Sequence, residues 1–254
     1  MNSTIVAMRR SNVRAVKIGS CVLGADSPVS IQSMTNTATS NVQETKEQIK
    51  ALEKAGCQIV RLAVSTFKDA RVLEEIKKTA AIPLVADIHF NHKLAIEAID
   101  AGFDGLRLNP GNISEARKVK EVVRRAKRAG VAIRVGVNGG SLDKSMLRRY
   151  GGPSAKAMVA SALEQLEVLE EADFHDIIVS LKSSSVPTTL EAYEAMAELR
   201  DYPLHLGVTE AGRGLRGRAK SFLGISLLLF EGIGETIRVS LTGNPVDEVT
   251  AASK

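Results

Sequence analysis

Short apolar runs alternate with helix-like stretches along the whole chain. Eight of these runs are rich in Val, Ile and Leu, and they centre on Val29–Met34, Ile59–Val64, Leu84–Ile88, Gly105–Leu108, Ile133–Val137, Ile177–Leu181, Leu204–Val208 and Thr236–Ser240. Such runs are typical of parallel strands that are covered on both faces. Their alternation with helices predicts right-handed crossovers. Eight units in 254 residues predict an α/β fold with one domain over residues 1–254, a (β/α)8 TIM barrel.

The predicted helices begin and end at residues that favour helix termini. Three helix-like segments end in Ala-Gly, at Gly56, Gly102 and Gly130. Glycine at this point adopts the left-handed conformation that terminates a helix, because it has no Cβ. At the other end of the first long helix, Ser40 and Gln43 predict a capping box.

A single basic residue interrupts or follows five of the apolar runs. The five are Arg61, Arg107, Arg134, Lys182 and Arg238. A buried charge without a partner costs several kcal/mol, so a fivefold repetition of this pattern indicates a common role. Arginine grips phosphate oxygens in pairs through a planar fork, and lysine acts on them as a point charge. If the strands lie side by side, these side chains predict a site for a small phosphorylated ligand.

Further polar residues lie at the predicted carboxyl ends of the strands, where TIM barrels carry their active sites. They are Asp87, His89, Asn109, Asn138, His205, Glu210 and Ser240. Glu210 is the carboxylate best placed to act as acid or base beside so many cations. Asp87 and His89 are also compatible with a structural pair, or with half of a metal site that lacks an obvious third ligand. Glycines at 139–140 and 212–217 predict loops with backbone donors for phosphate.

Composition narrows the class of partner. The net charge is +5, but the most basic segment, Arg117–Arg128, has no interleaved aromatic residues for base stacking, so we expect a solvated helix face and no nucleic-acid partner. The longest apolar run, Phe222–Phe230, is too short to cross a bilayer. The first residues lack an apolar signal core, so we expect no membrane partner and a cytoplasmic location. Cys21 and Cys57 match no metal-binding spacing and are expected to be buried or half-buried thiols.

Six segments, in the same order, resemble the barrel domain of the 4-hydroxy-3-methylbut-2-enyl diphosphate synthase family. They are Val29–Asn36, Pro83–Phe90, Leu106–Asn112, Ile133–Asn138, His205–Gly212 and Gly234–Leu241. The string Pro-Leu-Val-Ala-Asp-Ile-His-Phe with the later Thr-Glu-Ala-Gly is the most specific part. The resemblance extends over nearly the whole chain.

The resemblance implies a defined chemistry. The family reductively opens 2-C-methyl-D-erythritol 2,4-cyclodiphosphate, with loss of water, in non-mevalonate isoprenoid biosynthesis. The diphosphate would be held by Arg61, Arg107, Arg134, Asn138, Lys182, Arg238 and Ser240. Glu210 would face the ring and the reducing centre. Electrons would come from flavodoxin or ferredoxin through a [4Fe–4S] cluster, and in the family's homodimer the cluster domain of one subunit closes the barrel of its partner.

The chain departs from this family in one large respect. The family's cluster ligands, three cysteines and a glutamate, lie in a C-terminal iron–sulfur domain that is absent from this chain, and Cys21 and Cys57 cannot stand in for them. We therefore expect the chain alone to bind substrate without turnover and to bind no metal. We also expect a truncated eighth helix, because the chain stops at Lys254. Apolar surface left uncovered between strands eight and one would favour association.

Two other functions are compatible with these residues. One is a non-redox barrel enzyme similar to dihydropteroate synthase, which also binds a diphosphate at a barrel mouth. The other is a stand-alone binding or regulatory module without chemistry. The resemblance gives no role to Arg213, Arg216 and Arg218, and this loop is richer in arginine than the family leads us to expect.

Overall fold

Eight parallel strands form the centre of the molecule in a computed structural model that describes residues 12–88, 91–108, 116–212 and 214–254. The strands are β3 (Ser30–Met34), β4 (Ile59–Val64), β5 (Leu84–Ile88), β6 (Gly105–Leu108), β7 (Ala132–Asn138), β8 (Ile177–Lys182), β9 (His205–Leu206) and β10 (Thr236–Ile237). Their order in the sheet is β8-β7-β6-β5-β4-β3-β10-β9. A parallel bridge between Val179 and Leu204 brings the two ends together. The predicted (β/α)8 barrel is confirmed as a nearly closed barrel.

Helices cover the outer face of this sheet. They are α1 (Val42–Lys54), α2 (Phe67–Ala70), α3 (Leu73–Lys77), α4 (His92–Asp100), α5 (Ala116–Ala129), α6 (Lys144–Tyr150), α7 (Ala155–Glu170), α8 (Val186–Leu199), α9 (Gly214–Phe230) and α10 (Pro245–Ala252). A 3-10 turn, Gly139–Ser141, follows β7. The main apolar core lies between the sheet and these helices. Helix α10 has eight residues, against 17 in α9.

A hairpin that the apolar pattern did not predict fills the amino-terminal end of the barrel. Strands β1 (Val16–Ile18) and β2 (Cys21–Leu23) pair antiparallel. Their buried side chains join a second small core with residues from the barrel strands, namely Ile59, Val85, Ala132 and Ile178. Since apolar side chains of the described residues occupy this end of the barrel, we expect a polar ligand to enter from the carboxyl ends of the strands.

A tyrosine on α8 reinforces the seam between β8 and β9. The buried hydroxyl of Tyr193 donates a hydrogen bond of 2.5 Å to the His205 carbonyl and accepts one of 3.1 Å from the Leu181 amide. Burial raises the pKa of this hydroxyl, so it stays protonated as a donor. The side chain thereby satisfies backbone groups on both strands where direct strand pairing is sparse.

Several local predictions can be compared with the backbone. The helix-ending glycines are confirmed, since Gly56, Gly102 and Gly130 have φ values of 95°, 81° and 66°. The capping box at Ser40 is wrong, because α1 has Asn41 at its N-cap and no side-chain cap. The amide of Ser40 instead donates to a carboxylate oxygen of Asp69, 3.2 Å away. The acceptor for this amide is therefore Asp69, 29 residues along the chain, and not the nearby Gln43 of the predicted capping box.

Two longer-range predictions are corrected. The glycine-rich loop predicted over residues 212–217 is helical from Gly214, the first residue of α9, so Arg216 and Arg218 lie on a helix. The uncovered apolar surface does not lie between strands eight and one, because α10 packs against β3 and α1 there. It lies instead between α9 and α10 above β10, as a groove of about 540 Å³.

Candidate functional site

The five basic residues converge inside the carboxyl-terminal mouth of the barrel. Parallel pairing places Arg107 opposite Arg134, and Asn138 opposite Lys182. Lys182 is close enough to all four arginines for their charges to lower its pKa, after burial, which is the larger cause. The prediction that these strands bring their basic residues together is therefore confirmed, although the role of each residue stays a prediction.

Asp87 neutralises one side of this basic cluster, by which we mean Arg61, Arg107, Arg134, Lys182 and Arg238. Asp87 lies on β5, between the strands that carry Arg61 and Arg107, and it is 3% exposed. Its carboxylate is 3.1 Å from Nη1 of Arg107 and 3.6 Å from Nε of Arg61. Burial lowers the pKa of Arg61 to about 10, with Asp87 acting in the opposite direction. Asp87 is a structural counter-charge within the site.

Glu248, on α10, is the counter-charge of Arg238, and the sequence reasoning missed it. Its carboxylate accepts hydrogen bonds from Nε and Nη2 of Arg238, at 3.2 and 3.3 Å. It also accepts from the Ser33 hydroxyl and the Leu241 amide, both at 3.0 Å. The cluster therefore has five basic side chains and two buried carboxylates, and when fully ionised it has an excess of positive charge that suits an anion.

A thioether separates two of the guanidinium groups. The Met34 sulfur accepts from Nε and Nη2 of Arg61, at 3.1 and 2.9 Å, and from Nη1 of Arg238, at 3.5 Å. Sulfur is a weak hydrogen-bond acceptor. These donors thus remain available for the stronger acceptor that a phosphate oxygen provides.

Arg134 and Lys182 carry the least compensated charges of the cluster. Arg134 donates to the neutral Oε1 of Gln32, 2.7 Å away, and its buried Nε has no hydrogen-bond partner among the described residues. Neither side chain has an ion pair with a carboxylate in the described part of the chain. Burial, with the neighbouring positive charges, lowers the pKa of both groups. An anion that enters the site would satisfy them.

Two glycines provide the space that these long side chains occupy. A Cβ at Gly136 would lie 2.6 Å from Nε of Arg107, and a Cβ at Gly207 would lie 2.8 Å from Nζ of Lys182. Both distances are shorter than atoms in proteins allow, so any side chain at these positions would displace a cation. The sequence reasoning did not select either glycine. Gly136 is two residues after Arg134 and therefore on the same face of β7, and this spacing is the signal that could have found it.

The remaining predicted residues differ in exposure. Asn138 and Ser240 are half-buried, and Glu210 is exposed beyond β9, with a φ of 50° that non-glycine residues rarely adopt. His205 is fully buried; its Nδ1 is 3.4 Å from the Thr236 hydroxyl, and burial lowers its pKa, so the ring is neutral. Of the other predicted positions, His89, Asn109 and Arg213 lie outside the described residues.

The cysteines of this chain do not fit an iron–sulfur cluster. Cys57 lies two residues before the first residue of β4, and its thiol donates to the carbonyl of Ile59, 3.1 Å away. Cys21, on the hairpin, donates to the carbonyl of Gln58 at 3.5 Å. Both thiols therefore lie at the amino-terminal end of the barrel, opposite the basic cluster. Two thiols at this end cannot supply the ligands that a [4Fe–4S] cluster requires.

The described residues form neither a metal-binding group nor a membrane-spanning helix. They contain no group of three or more His, Cys, Asp or Glu side chains arranged to hold a metal ion. None of the helices among them is long and apolar enough to span a membrane.

Comparison with known proteins agrees with the predicted resemblance. The family model of the GcpE TIM-barrel domain matches residues 13–253. The chain is 54% identical over 245 residues to 4-hydroxy-3-methylbut-2-en-1-yl diphosphate synthase (flavodoxin) of Thermodesulfovibrio yellowstonii, covering 96% of this chain and 70% of that protein. It is 53% identical over 242 residues to the protein of the same name from Clostridium perfringens, covering 95% and 69%.

Solved structures show likeness of fold alone. A dihydropteroate synthase from Stenotrophomonas maltophilia superimposes with a TM-score of 0.66 at 13% identity, covering 94% of this chain and 97% of that one. At this level of identity, the likeness supports the barrel architecture and does not extend to the chemistry of the site.

Proposed function

The chain belongs to the family of the GcpE TIM-barrel domain. We propose that its basic cluster binds the cyclic diphosphate that its resemblance to the 4-hydroxy-3-methylbut-2-enyl diphosphate synthases implies as substrate. The single observation that carries the proposal is the convergence of five basic side chains, three buried and two half-buried, on one barrel mouth with two carboxylates to balance them. A neutral ligand would leave this excess of charge uncompensated.

The residues of the cluster would make different contacts with 2-C-methyl-D-erythritol 2,4-cyclodiphosphate. Arg134 and Lys182, which have no carboxylate partner among the described residues, would take the most charge from the diphosphate. Arg61 and Arg238 would exchange the weak sulfur acceptor for phosphate oxygens. Each hydrogen bond to a charged group contributes about 1.5–3 kcal/mol, so a few such contacts account for micromolar binding.

The half-buried and exposed residues at the rim complete the proposed site. Asn138 and Ser240 would donate to the diphosphate from the ends of their strands, and Glu210 would face the ring as its acid or base. The left-handed backbone of Glu210 supports such a role, because strained residues cluster at functional sites. Reduction of the substrate requires electrons that these residues do not supply. We propose a flavodoxin as the donor, as in the names of the relatives.

We also propose that the protein acts as a homodimer. The support is the apolar face of α9, on which Leu215, Phe222 and Phe230 are 84%, 65% and 65% exposed. This face continues into the groove between α9 and α10. Contiguous apolar surface of this kind is typical of interaction sites in soluble proteins.

Calorimetric titration of the chain with the cyclic diphosphate tests the proposed substrate. Arg134→Met should weaken binding at least about tenfold, since one charged contact is removed. It should not unfold the protein, because it relieves a buried charge. Arg124→Met, on the exposed face of α5, is the matched control and should bind as the parent does. Absence of binding by the parent chain, or full binding by Arg134→Met, would refute the proposal.

The same titration distinguishes the dihydropteroate-synthase-like alternative. A pterin diphosphate should compete poorly with the cyclic diphosphate if the site is shaped for a small sugar-derived ring. Saturation by the pterin diphosphate with no response to the cyclic diphosphate would favour the alternative. No specific contact in the described site supports that second function.

A further inference from the structure

A buried carboxylate from outside the barrel strands holds one of the site's arginines in a defined orientation. Glu248 is on the first turn of α10 and is 3% exposed. It accepts four hydrogen bonds, two from Arg238 and one each from the Ser33 hydroxyl and the Leu241 amide. The serine is on β3, and the amide lies three residues after Arg238 in the segment that follows β10, so the carboxylate is tied to the neighbouring strand and to the segment that carries Arg238.

The contact uses one edge of the guanidinium and leaves the other edge for a ligand. Nε and Nη2 of Arg238 point to Glu248, whereas Nη1 is 3.5 Å from the Met34 sulfur, beside Arg61. A guanidinium whose plane is already set loses less conformational freedom when it binds a phosphate. The carboxylate therefore orients Nη1 towards the middle of the basic cluster, where the other cations lie.

From this geometry we infer that Glu248 is a positioning residue for anion binding, acting through Arg238. The inference rests on the proposed function, since it presupposes that the cluster binds a diphosphate. It also makes α10 part of the site, although the chemistry of a TIM barrel is usually carried by strand ends and the loops that follow them. A displacement of α10 would move the carboxylate and, with it, the donors of Arg238.

A positioning role for Glu248 and simple charge repulsion between Glu248 and the ligand predict opposite changes in affinity for the same substitution. Glu248→Gln removes a negative charge next to an anion site, so charge alone predicts tighter binding of a diphosphate. Loss of orientation predicts weaker binding, because Arg238 then has to be ordered by the ligand itself. The direction of the change thus separates the two effects without reference to its size.

Calorimetric titration of the purified chain with the cyclic diphosphate tests the inference. We expect Glu248→Gln to bind about tenfold more weakly than the parent. The matched control is Glu235→Gln. Glu235 is also a buried carboxylate, but it accepts from the Leu204 amide at the amino-terminal end of β10, away from the cluster. This control should bind as the parent does. Equal or tighter binding by Glu248→Gln would overturn the inference.

A double-mutant cycle shows whether Glu248 acts through Arg238. In an Arg238→Met background, Glu248→Gln should cause no further loss of affinity. In addition, the Arg238 Nε–H resonance in a ¹⁵N spectrum should shift and broaden in Glu248→Gln but not in Glu235→Gln. A further loss in the Arg238→Met background would show a direct or purely structural effect.

Ser33→Ala tests the positioning role of Glu248 independently if Glu248→Gln does not fold. This substitution removes one donor to Glu248 without changing any charge, and it should weaken binding about two- to threefold. Unchanged affinity in Ser33→Ala would then count against positioning. If the parent chain binds no cyclic diphosphate, the proposed function fails. If the parent binds, Arg238→Met weakens binding and Glu248→Gln does not, only the positioning role fails.

Discussion

Asp87 holds together the buried positive charges of the barrel, so its replacement by asparagine should destabilise the empty protein. The carboxylate is 3% exposed and faces two guanidinium groups, Arg107 at 3.1 Å and Arg61 at 3.6 Å. Asparagine has nearly the same shape and keeps one oxygen as an acceptor, but it carries no charge. The substitution therefore isolates the electrostatic part of the contact.

The expected cost follows from the burial of the pair. Removing one partner of a buried ion pair costs about 3–5 kcal/mol, because the remaining charge loses its compensation. The oxygen that asparagine retains places Asp87→Asn at the lower end, about 3 kcal/mol. For a chain of this size, a loss of that magnitude lowers the melting temperature by about 6–12 °C.

Urea denaturation followed by far-ultraviolet circular dichroism measures this cost, since the chain has no tryptophan to report unfolding by fluorescence. Asp100→Asn is the control, because the Asp100–Arg125 pair is about 45% exposed on each side and should contribute less than about 1 kcal/mol. In an Arg107→Met background, Asp87→Asn should cost clearly less. Equal losses in Asp87→Asn and Asp100→Asn would refute the assignment of Asp87 as a buried counter-charge.

Three further predictions concern protonation, thiol reactivity and assembly. Burial and the neighbouring arginines lower the pKa of Lys182 in the folded chain. At a pH between this lowered pKa and the usual 10.5, Lys182 is therefore protonated in the unfolded chain but not in the folded chain. The stability of the empty protein should therefore rise with pH across this range, and Lys182→Met should flatten the rise in urea titrations. Burial raises the pKa of Cys57 to about 11, so iodoacetamide should alkylate Cys21 first in a mass-spectrometric time course, and equal rates would contradict this. Phe222→Glu should shift sedimentation towards the monomer; a parent chain that is monomeric with a concentration-independent melting point would contradict the proposed association.

Features that depend on neighbouring residues can be read from the amino-acid sequence alone. Apolar runs located the barrel strands, and glycines such as Gly56 located helix ends, because strand burial and helix termination are local properties. The basic residues inside these runs indicated an anion site, because a charge such as Arg134 in an apolar strand is conspicuous without any knowledge of its surroundings.

The compensation of those charges, in contrast, depends on contacts that form when the chain folds. By local rules Glu248 is an acid in the first turn of a helix, favourable there because of the helix dipole. Barrel closure places β10 beside β3, and α10 packs over that junction, so that Glu248 meets Ser33, 215 residues earlier in the chain, and Arg238. The Met34 contact with two arginines has the same origin. The counter-charges come from distant parts of the chain, so they cannot be identified from a pattern of adjacent residues. Closure of the barrel fixes the distances between these carboxylates and the basic side chains.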